Sequence, residues 1–384
     1  MTYILHLTPL VLSGAGSVSA IAGEARRLGC RKFLVVTDQG VTRAGILGTV
    51  TEQLDRDCVD YAVFDGVEPD PRLACVARCA EAARTAAADG VIGLGGGSSL
   101  DVAKATAVLL TNGGSMADYL GPDRVPRPGL PKIMVPTTAG TGSEVSAAVV
   151  FTDEADQIKK AAYSRYFVPE VAILDPCLTV SMPPQVTVDT GLDALVHAIE
   201  GATSARSNPF SEATGFTAIR MISGALREAA SRGDDLRARE QMLLASTLAG
   251  MSFTSGGLGG VHALAYSLAS EYHLTHGRSN AVLLPHVMRF NLVAAFEKYA
   301  RVAEAMGEDV RALPVRQAAL RAVDAVTCLL EDLGVSYRLR DYAVARDRLE
   351  YLADKAYRFG GRLLPNNPRT MSLQDAVRTF QEAW

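Results

Sequence analysis

Five of the six histidines lie between positions 197 and 286, and one of them shares a helix-like segment with a carboxylate. In Gly191-Leu-Asp-Ala-Leu-Val-His-Ala-Ile-Glu200, Asp193 and His197 are four residues apart. On a helix that spacing puts both side chains on one face, as two ligands of a single ion require. His262, in Gly-Gly-Val-His-Ala-Leu, sits inside an apolar stretch, and His276, in Thr-His-Gly, at a break in the pattern. One carboxylate and three imidazoles suit Fe(II), Zn(II) or another first-row divalent ion. Taken singly, each histidine is more simply a core or capping residue. As a set, with an aspartate one helical turn from a histidine, they point to a metal. His273 reads as a surface or outer residue, and His286, directly after Pro285, as one that caps or packs.

A second chemistry is written in two glycine-rich turns. Gly95-Gly96-Gly97-Ser98-Ser99-Leu100-Asp101 follows an apolar strand-like run and opens a helix-like one. Glycines let backbone approach a pyrophosphate, and the free N–H groups of a helix start attract the anion. Ser98 and Asp101 also have capping-box spacing. Pro136-Thr137-Thr138-Ala139-Gly140-Thr141-Gly142-Ser143-Glu144 is denser in hydroxyls than a structural loop requires, and suits the phosphates and ribose of a nucleotide. Asp38, at the tip of the run Lys32 to Thr37, can accept hydrogen bonds from an adenosine ribose and repels a 2′-phosphate, which favours NAD over NADP. Its plainer role is a turn residue in Asp-Gln-Gly. The Gly95 turn does not spell GxGxxG and comes after two or more strands, not directly after the first, so it is not the usual dinucleotide fingerprint.

The elements that must position these groups fall into two halves. Lys32 to Thr37, Tyr61 to Phe64, Val91 to Leu94 and Ile133 to Val135 read as strands, alternating with helical runs such as Leu73 to Ala88 and Leu100 to Leu110. That alternation predicts an α/β domain, a parallel sheet with helices on both faces and ligands at the carboxyl ends of the strands. After Pro183 the strand signal vanishes: Val186 to Ala202, Pro209 to Ala229, Asp235 to Ser252, Gly260 to Ser270 and Leu313 to Leu333 have helical periodicity. The expected organisation is an α/β dinucleotide-binding domain over 1–182 and an all-α metal and substrate domain over 183–384, with Met182-Pro183-Pro184 as a hinge that continues neither element.

With 384 residues, 48% hydrophobic and 21% charged, two globular domains are expected and extensive disorder is not. A net charge of −4 gives no electrostatic reason to bind nucleic acid or an anionic membrane. The N-terminal residues lack a basic then apolar leader, and Val145 to Phe151 is too short to span a bilayer. The six scattered cysteines are expected reduced and mostly buried, in a reducing cytoplasmic compartment.

Seven segments in order resemble the iron-containing (group III) alcohol dehydrogenase family: GGGSSLDVAK (95–104), PTTAGTGSEVS (136–146), PEVAILDP (169–176), GLDALVHAIE (191–200), GGVHALAYSLA (259–269), HGRSNAVLLPHVMRFN (276–291) and LPNNPR (364–369). The resemblance runs nearly the whole length. It implies a dehydroquinate synthase-like fold, NAD(P) and a divalent metal beside the nicotinamide, with Fe(II) ahead of Zn(II). Carried over, it assigns Asp193, His197, His262 and His276 to the metal. It assigns Asp38, Gly96, Gly97, Ser98, Asp101, Thr137, Thr138 and Thr141 to the cofactor, with Lys159, or Lys160 beside it, near the nicotinamide. Homodimerisation is also a family expectation. Many members carry a further histidine four residues after the third ligand; here that position is Tyr266. With an ordinary pKa of about 10, tyrosine is a poor base at neutral pH. The proton path can then run through Tyr266, the nicotinamide ribose or water.

The implied activity is hydride transfer between nicotinamide C4 and the carbinol or carbonyl carbon of a small alcohol or aldehyde, with His276 and Tyr266 at the reacting end. Small residues at Ser146, Ala147 and Ala148 suggest a short substrate. A dehydroquinate synthase-like lyase or cyclase shares the fold but needs a basic cleft, whereas these motifs are mostly Ala, Val, Leu and Ser. An inactive nucleotide-binding homologue, or a metal-independent reductase like maleylacetate reductase, is disfavoured by retention of all four ligands.

Overall fold

The computed structural model describes residues 3–155 and 158–384. Two compact units divide the chain, His6–Met182 and Pro183–Trp384, the latter joined by the N-terminal residues as far as Leu5. The expected first domain therefore begins too early: Ile4 belongs with the second unit, where its carbonyl accepts from Ser255 Oγ at 3.2 Å. The proline pair does not end an element either. Pro184 is the first residue of a helix and Pro183 its cap, where a missing N–H costs nothing and a fixed φ favours the helix.

In the first unit, β1 (Leu10–Ser13), β2 (Lys32–Val36), β3 (Asp60–Phe64), β4 (Gly90–Gly95), β6 (Lys132–Pro136) and β9 (Val171–Leu174) form one sheet of order β1-β9-β6-β4-β2-β3. Every pairing in it is parallel. Unbroken apolar strands such as KFLVV are what a sheet covered on both faces demands. Leu34, Val36, Val91 and Met134 pack on α4 (Leu73–Thr85) and α5 (Gly97–Asn112). Phe33, Val35, Ile92 and Val135 pack on the opposite face with α1 (Ile21–Arg27) and α3 (Ile46–Arg56). From β2 the chain moves outward to β3 and then returns to place β4 on the other side of β2. That reversal opens a crevice at the carboxyl ends of β2 and β4, the place where such sheets take ligands.

The alternation did not reveal a second sheet, of order β5-β8-β7, in which β7 (Ala148–Asp153) and β8 (Ile158–Tyr163) are antiparallel and β5 (Gly121–Pro122) runs parallel to β8. The apolar run Val145 to Phe151 is the approach to β7 and its first part. A short helix, α2 (Gln39–Arg43), follows β2.

The second unit is helical: α6 (Pro184–Thr203), α7 (Pro209–Ser231), α8 (Leu236–Gly256), α9 (Gly260–Tyr272), α10 (His276–Asn291), α11 (Phe296–Ala305), α12 (Val315–Asp332), α13 (Leu349–Gly360) and α14 (Leu373–Glu382). From Gly191 to Thr203 every residue of α6 is buried, so this helix is the core of its unit. α10 continues through Pro285, whose lost backbone hydrogen bond is tolerated among the fully buried Leu283, Leu284 and Val287. Among the described residues no helix is long and apolar enough to cross a membrane.

All six cysteines are free, but the expectation that most are buried fails: Cys58, Cys177 and Cys328 are exposed and only Cys75 and Cys79 are buried. Those two lie one turn apart on the inner face of α4, where burial pushes the Cys79 thiol up to about 12.

Candidate metal centre and dinucleotide loops

Asp193 and His197 come from α6, His262 from the first turn of α9, and His276 is the first residue of α10. One ligand atom from each lies within 4.8 Å of all the others. His262 Nε2 and His276 Nε2 stand 3.9 and 3.8 Å from Asp193 Oδ1. The His197 and His262 rings stack at 4.8 Å, and the Phe253 ring lies tilted against His197 at 4.8 Å. Three members are buried, while the His276 side chain is 32% exposed, so the cluster is accessible from the His276 side.

Three further side chains set this geometry, and the ligand pattern alone did not single them out. Glu200, three residues after His197, accepts from His262 Nδ1 at 2.7 Å, from Val261 N at 2.7 Å and from Gly259 N at 3.0 Å. A carboxylate can only accept, so Nδ1 carries the proton and Nε2 presents its lone pair to the cluster. Asn280, one turn after His276, donates to Asp193 Oδ1 at 2.8 Å, and its amide nitrogen lies 3.2 Å from both His262 Nε2 and His276 Nε2. Asp189, one turn before Asp193, accepts from Thr275 Oγ1 at 2.7 Å and from Arg278 Nε at 2.8 Å, tying α6 to the start of α10. Asp189 and Asn280 stand one helical turn from the ligands Asp193 and His276, a spacing that gives them the same helix face and by itself no role.

Burial alone would raise the Asp193 carboxyl, but His197, His276, His262 and the Asn280 amide hold it below the ordinary carboxylate range. A buried anion facing convergent imidazole lone pairs is a donor set for a divalent cation, and the residues fit one. Of the remaining histidines, His273 caps α9 in the left-handed region, exposed. His286 packs, donating from Nε2 to the Tyr337 carbonyl at 2.8 Å. Tyr266 is half-buried on α9, and its hydroxyl accepts from Arg362 Nη2 at 3.4 Å.

In the first unit the two glycine-rich turns are neighbours. β4 and β6 pair through Gly95 and Pro136, and Thr137 N donates to Gly95 O at 3.0 Å. A Cβ on Gly97 would stand 2.7 Å from Thr141 Cγ2, so only glycine lets the second turn rest on the first. Thr138 lies against Gly96 at van der Waals distance of such a Cβ, and Thr137 is buried.

The capping-box reading of Ser98 and Asp101 is not observed. The helix starts at Gly97, with Gly96 as its cap and no side chain on its first N–H groups, which makes Ser98 a helical residue. Asp101 turns instead to the second loop, accepting from Ser143 Oγ at 2.5 Å and from Val150 N at 2.9 Å. Beside it the wholly buried Lys104 ammonium donates to the carbonyls of Ser143 at 2.9 Å and Ala148 at 2.7 Å. Burial pulls that lysine below its ordinary range despite Asp101 at 3.3 Å.

Asp38 caps α2, accepting from Gly40 N and Val41 N, and its other oxygen accepts from Ser99 Oγ at 3.1 Å across the β2–β4 crevice. Lys159 sits on β8 opposite Thr152 with its ammonium on Asp70 at 2.6 Å, and Lys160 pairs with Asp153 at 2.7 Å. Lys159 is thus held by a carboxylate from outside the sheet, Asp70, and Lys160 by Asp153 of β7.

Residues 9–176 match the iron-containing alcohol dehydrogenase family, and residues 187–384 match the C-terminal part of the Fe-containing alcohol dehydrogenase family. The chain belongs to the iron-containing alcohol dehydrogenase family. It is 39% identical over 378 residues to long-chain-alcohol dehydrogenase 1 of Geobacillus thermodenitrificans, covering 98% of this chain and 95% of that one. It is 35% identical over 377 residues to the NAD-dependent methanol dehydrogenase of Bacillus methanolicus, covering 98% of each. A solved 1,3-propanediol oxidoreductase superposes with a TM-score of 0.97 at 37% identity over 100% of both chains. The family membership makes this chain an oxidoreductase of the alcohol dehydrogenase and aldehyde reductase class, acting on a CH–OH group.

Proposed function

We propose that this iron-containing alcohol dehydrogenase reduces a short aldehyde with NADH, or oxidises the matching alcohol with NAD⁺. The observation that carries the reading is the convergence of Asp193, His197, His262 and His276, whose ligand atoms lie within 4.8 Å of one another with His276 on the accessible side. When bound, a divalent metal supplies a Lewis acid for the substrate oxygen, and the nicotinamide supplies or takes the hydride. The chain's own part is positional. Glu200 fixes the tautomer of His262, Asn280 orients Asp193, and Asp189 fixes the helix start that carries His276. Tyr266, one turn from His262, offers a phenol to the substrate.

NAD is favoured over NADP because Asp38 keeps a carboxylate at the switch-point crevice. The uncapped start of α5 and the threonines at 137, 138 and 141 suit the phosphates. Ser98 and Asp101 support that turn, and Asp101 does so through its bonds to Ser143 and Val150. Fe(II) is preferred to Zn(II), and a cytoplasmic homodimer is the expected form; the free cysteines accord with a reducing compartment.

The test is aldehyde-dependent NADH oxidation by anaerobically purified protein as isolated, after chelation, and after Fe(II) or Zn(II) is restored. Activity that vanishes and returns with metal supports the reading. Activity that survives complete metal removal refutes it.

A further inference from the structure

The asparagine pair of the LPNNPR segment supplies no metal ligand, yet it bonds to the start or the end of every helix that carries one. Asn366 ends the 3₁₀ stretch Gly361–Asn366 that follows α13. Its carbonyl accepts from Ala205 N at 2.8 Å and from Ser204 Oγ at 3.0 Å, just past the end of α6. Its side-chain amide donates to the Leu258 carbonyl at 3.0 Å, in the turn before α9. Asn367 is buried and uses all four of its hydrogen-bonding positions. Oδ1 accepts from the backbone N–H of Gly260, the first residue of α9, at 3.1 Å and from Asn291 Nδ2 at 2.9 Å. Nδ2 donates to Asn291 Oδ1 at 2.7 Å and to the Arg369 carbonyl at 2.6 Å. Asn291 is the last residue of α10, and His276 is the first. The donor at Gly260 leaves the Asn367 amide one orientation, because a flip would set N–H against N–H. Gly260 admits this approach for want of a side chain: a Cβ there would stand 2.9 Å from Asn367 Oδ1.

We infer that Asn367 is a positioning residue for the metal centre, fixing the start of α9, which carries His262, against α10, which carries His276. Asn366 pins the same segment to the end of α6, which carries Asp193 and His197. α9 has a glycine as its N-cap and no side-chain cap from its own sequence. Its first N–H groups are taken instead by Glu200, at Gly259 and Val261, and by Asn367, at Gly260 between them. Two separate segments, α6 and the C-terminal LPNNPR run, thus supply the acceptors that a helix start needs. His262 lies two residues after Gly260, within that first turn, so its ring moves with this backbone. Releasing Gly260 N strands a buried donor and frees the turn, and the placement of His262 against Asp193, His197 and His276 loosens with it. The inference rests on the metal reading of the four ligands.

The experiment uses Co(II) as the probe and the whole chain as wild type, Asn367→Ala and Asn291→Ala. Affinity is read by competition with a chromophoric chelator, ligand geometry by the visible d–d bands of the Co(II)-saturated protein, and folding by circular dichroism. Asn367→Ala should bind Co(II) about tenfold more weakly, the lower end of the loss for an outer partner, and its bands should shift or broaden. Asn291→Ala, which leaves Asn367 its bond to Gly260 but cuts the tie to α10, should move both readings in the same direction, and it carries the test if Asn367→Ala does not fold. A residue that merely adds stability would lower the unfolding midpoint and leave the bands of the folded, saturated protein as they are. Unchanged bands, or an affinity within about twofold of the wild type, therefore overturn this inference alone. A wild type that binds no Co(II) overturns the metal reading, and this inference with it.

Discussion

Glu200→Gln tests whether the metal centre is built from its outer contacts. The carboxylate is 7% exposed and takes three hydrogen bonds, from His262 Nδ1, Val261 N and Gly259 N, at 2.7, 2.7 and 3.0 Å. Glutamine keeps the shape but has one acceptor end and one donor end. With its nitrogen toward Val261, two N–H groups face each other in a buried site. With its nitrogen toward His262, the imidazole must become an acceptor at Nδ1, which moves its proton to Nε2 and removes the lone pair offered to the metal. Either arrangement leaves a buried donor unpaired, at a cost of about 1–3 kcal/mol. Loss of such an outer partner lowers metal affinity about 10- to 100-fold, which is about 1.4–2.8 kcal/mol at about 1.4 kcal/mol per tenfold. The assay is competition for Zn(II) or Co(II) between apo-protein and a chromophoric chelator, with circular dichroism confirming that the apo-variant is folded. A folded variant whose metal affinity stays within about threefold of the wild type would refute the argument, because the calculated loss is at least about tenfold.

Two further perturbations address other parts of the chain. Lys104→Met removes a wholly buried cation that holds Asp101 and the carbonyls of Ser143 and Ala148. It should cost about 3–5 kcal/mol in urea unfolding and weaken NADH binding in a fluorescence titration, because the Thr137–Thr141 turn leads into the segment that Lys104 anchors; unchanged NADH affinity would uncouple the two. His286 is half-buried, and desolvation holds it below the ordinary imidazole range although its bond to Tyr337 opposes the shift. Above about pH 6.5 the residue is neutral in both states. As pH falls below that value the unfolded chain binds a proton that the native chain does not, so stability declines until His286 itself titrates. His286→Gln, which keeps a donor for Tyr337, should flatten that part of the stability–pH curve, and a curve that overlays the wild type would remove His286 from the account.

Four of the six strands of the parallel sheet were legible, KFLVV and KIMVP because they are apolar on both faces, whereas the four-residue strands β1 and β9 are too short to declare a period. The sheet formed by β5, β7 and β8 was not legible. Its strand IKKAAY carries two lysines, Lys159 and Lys160, whose cost is met only by tertiary partners, Asp70 and Asp153. Local composition cannot report a partner at position 70. The helix through Pro285 escaped for the same reason: a proline reads as a break, and burial of its neighbours overrides that reading. Ser98 and Asp101 have the spacing of a capping box with Ser98 as the cap. The helix begins two residues early for that, at Gly97, and leaves the Asp101 carboxylate to Ser143 and to Val150 of β7.

For the site, the ligands were visible and their support was not, and the difference is physical. A metal demands particular atom types, so Asp193 and His197 at i,i+4 announce themselves even without a partner in view. Support is chosen for shape and reach. Glu200 continues the face of α6 that carries Asp193, seven residues on, yet its function depends on where α9 begins: two of its three donors are backbone N–H groups at Gly259 and Val261. Those N–H groups are the orphan donors of a helix start. One carboxylate thus caps α9 and fixes the tautomer of the imidazole on its first turn, so the local folding of that helix and the chemistry of its ligand cannot be separated. A mutation that frees the helix start should loosen His262 to the same degree. Metal affinity and amide protection at Gly259 and Val261 are therefore expected to fall together in Glu200→Gln; affinity lost with protection retained would assign Glu200 to the ligand alone.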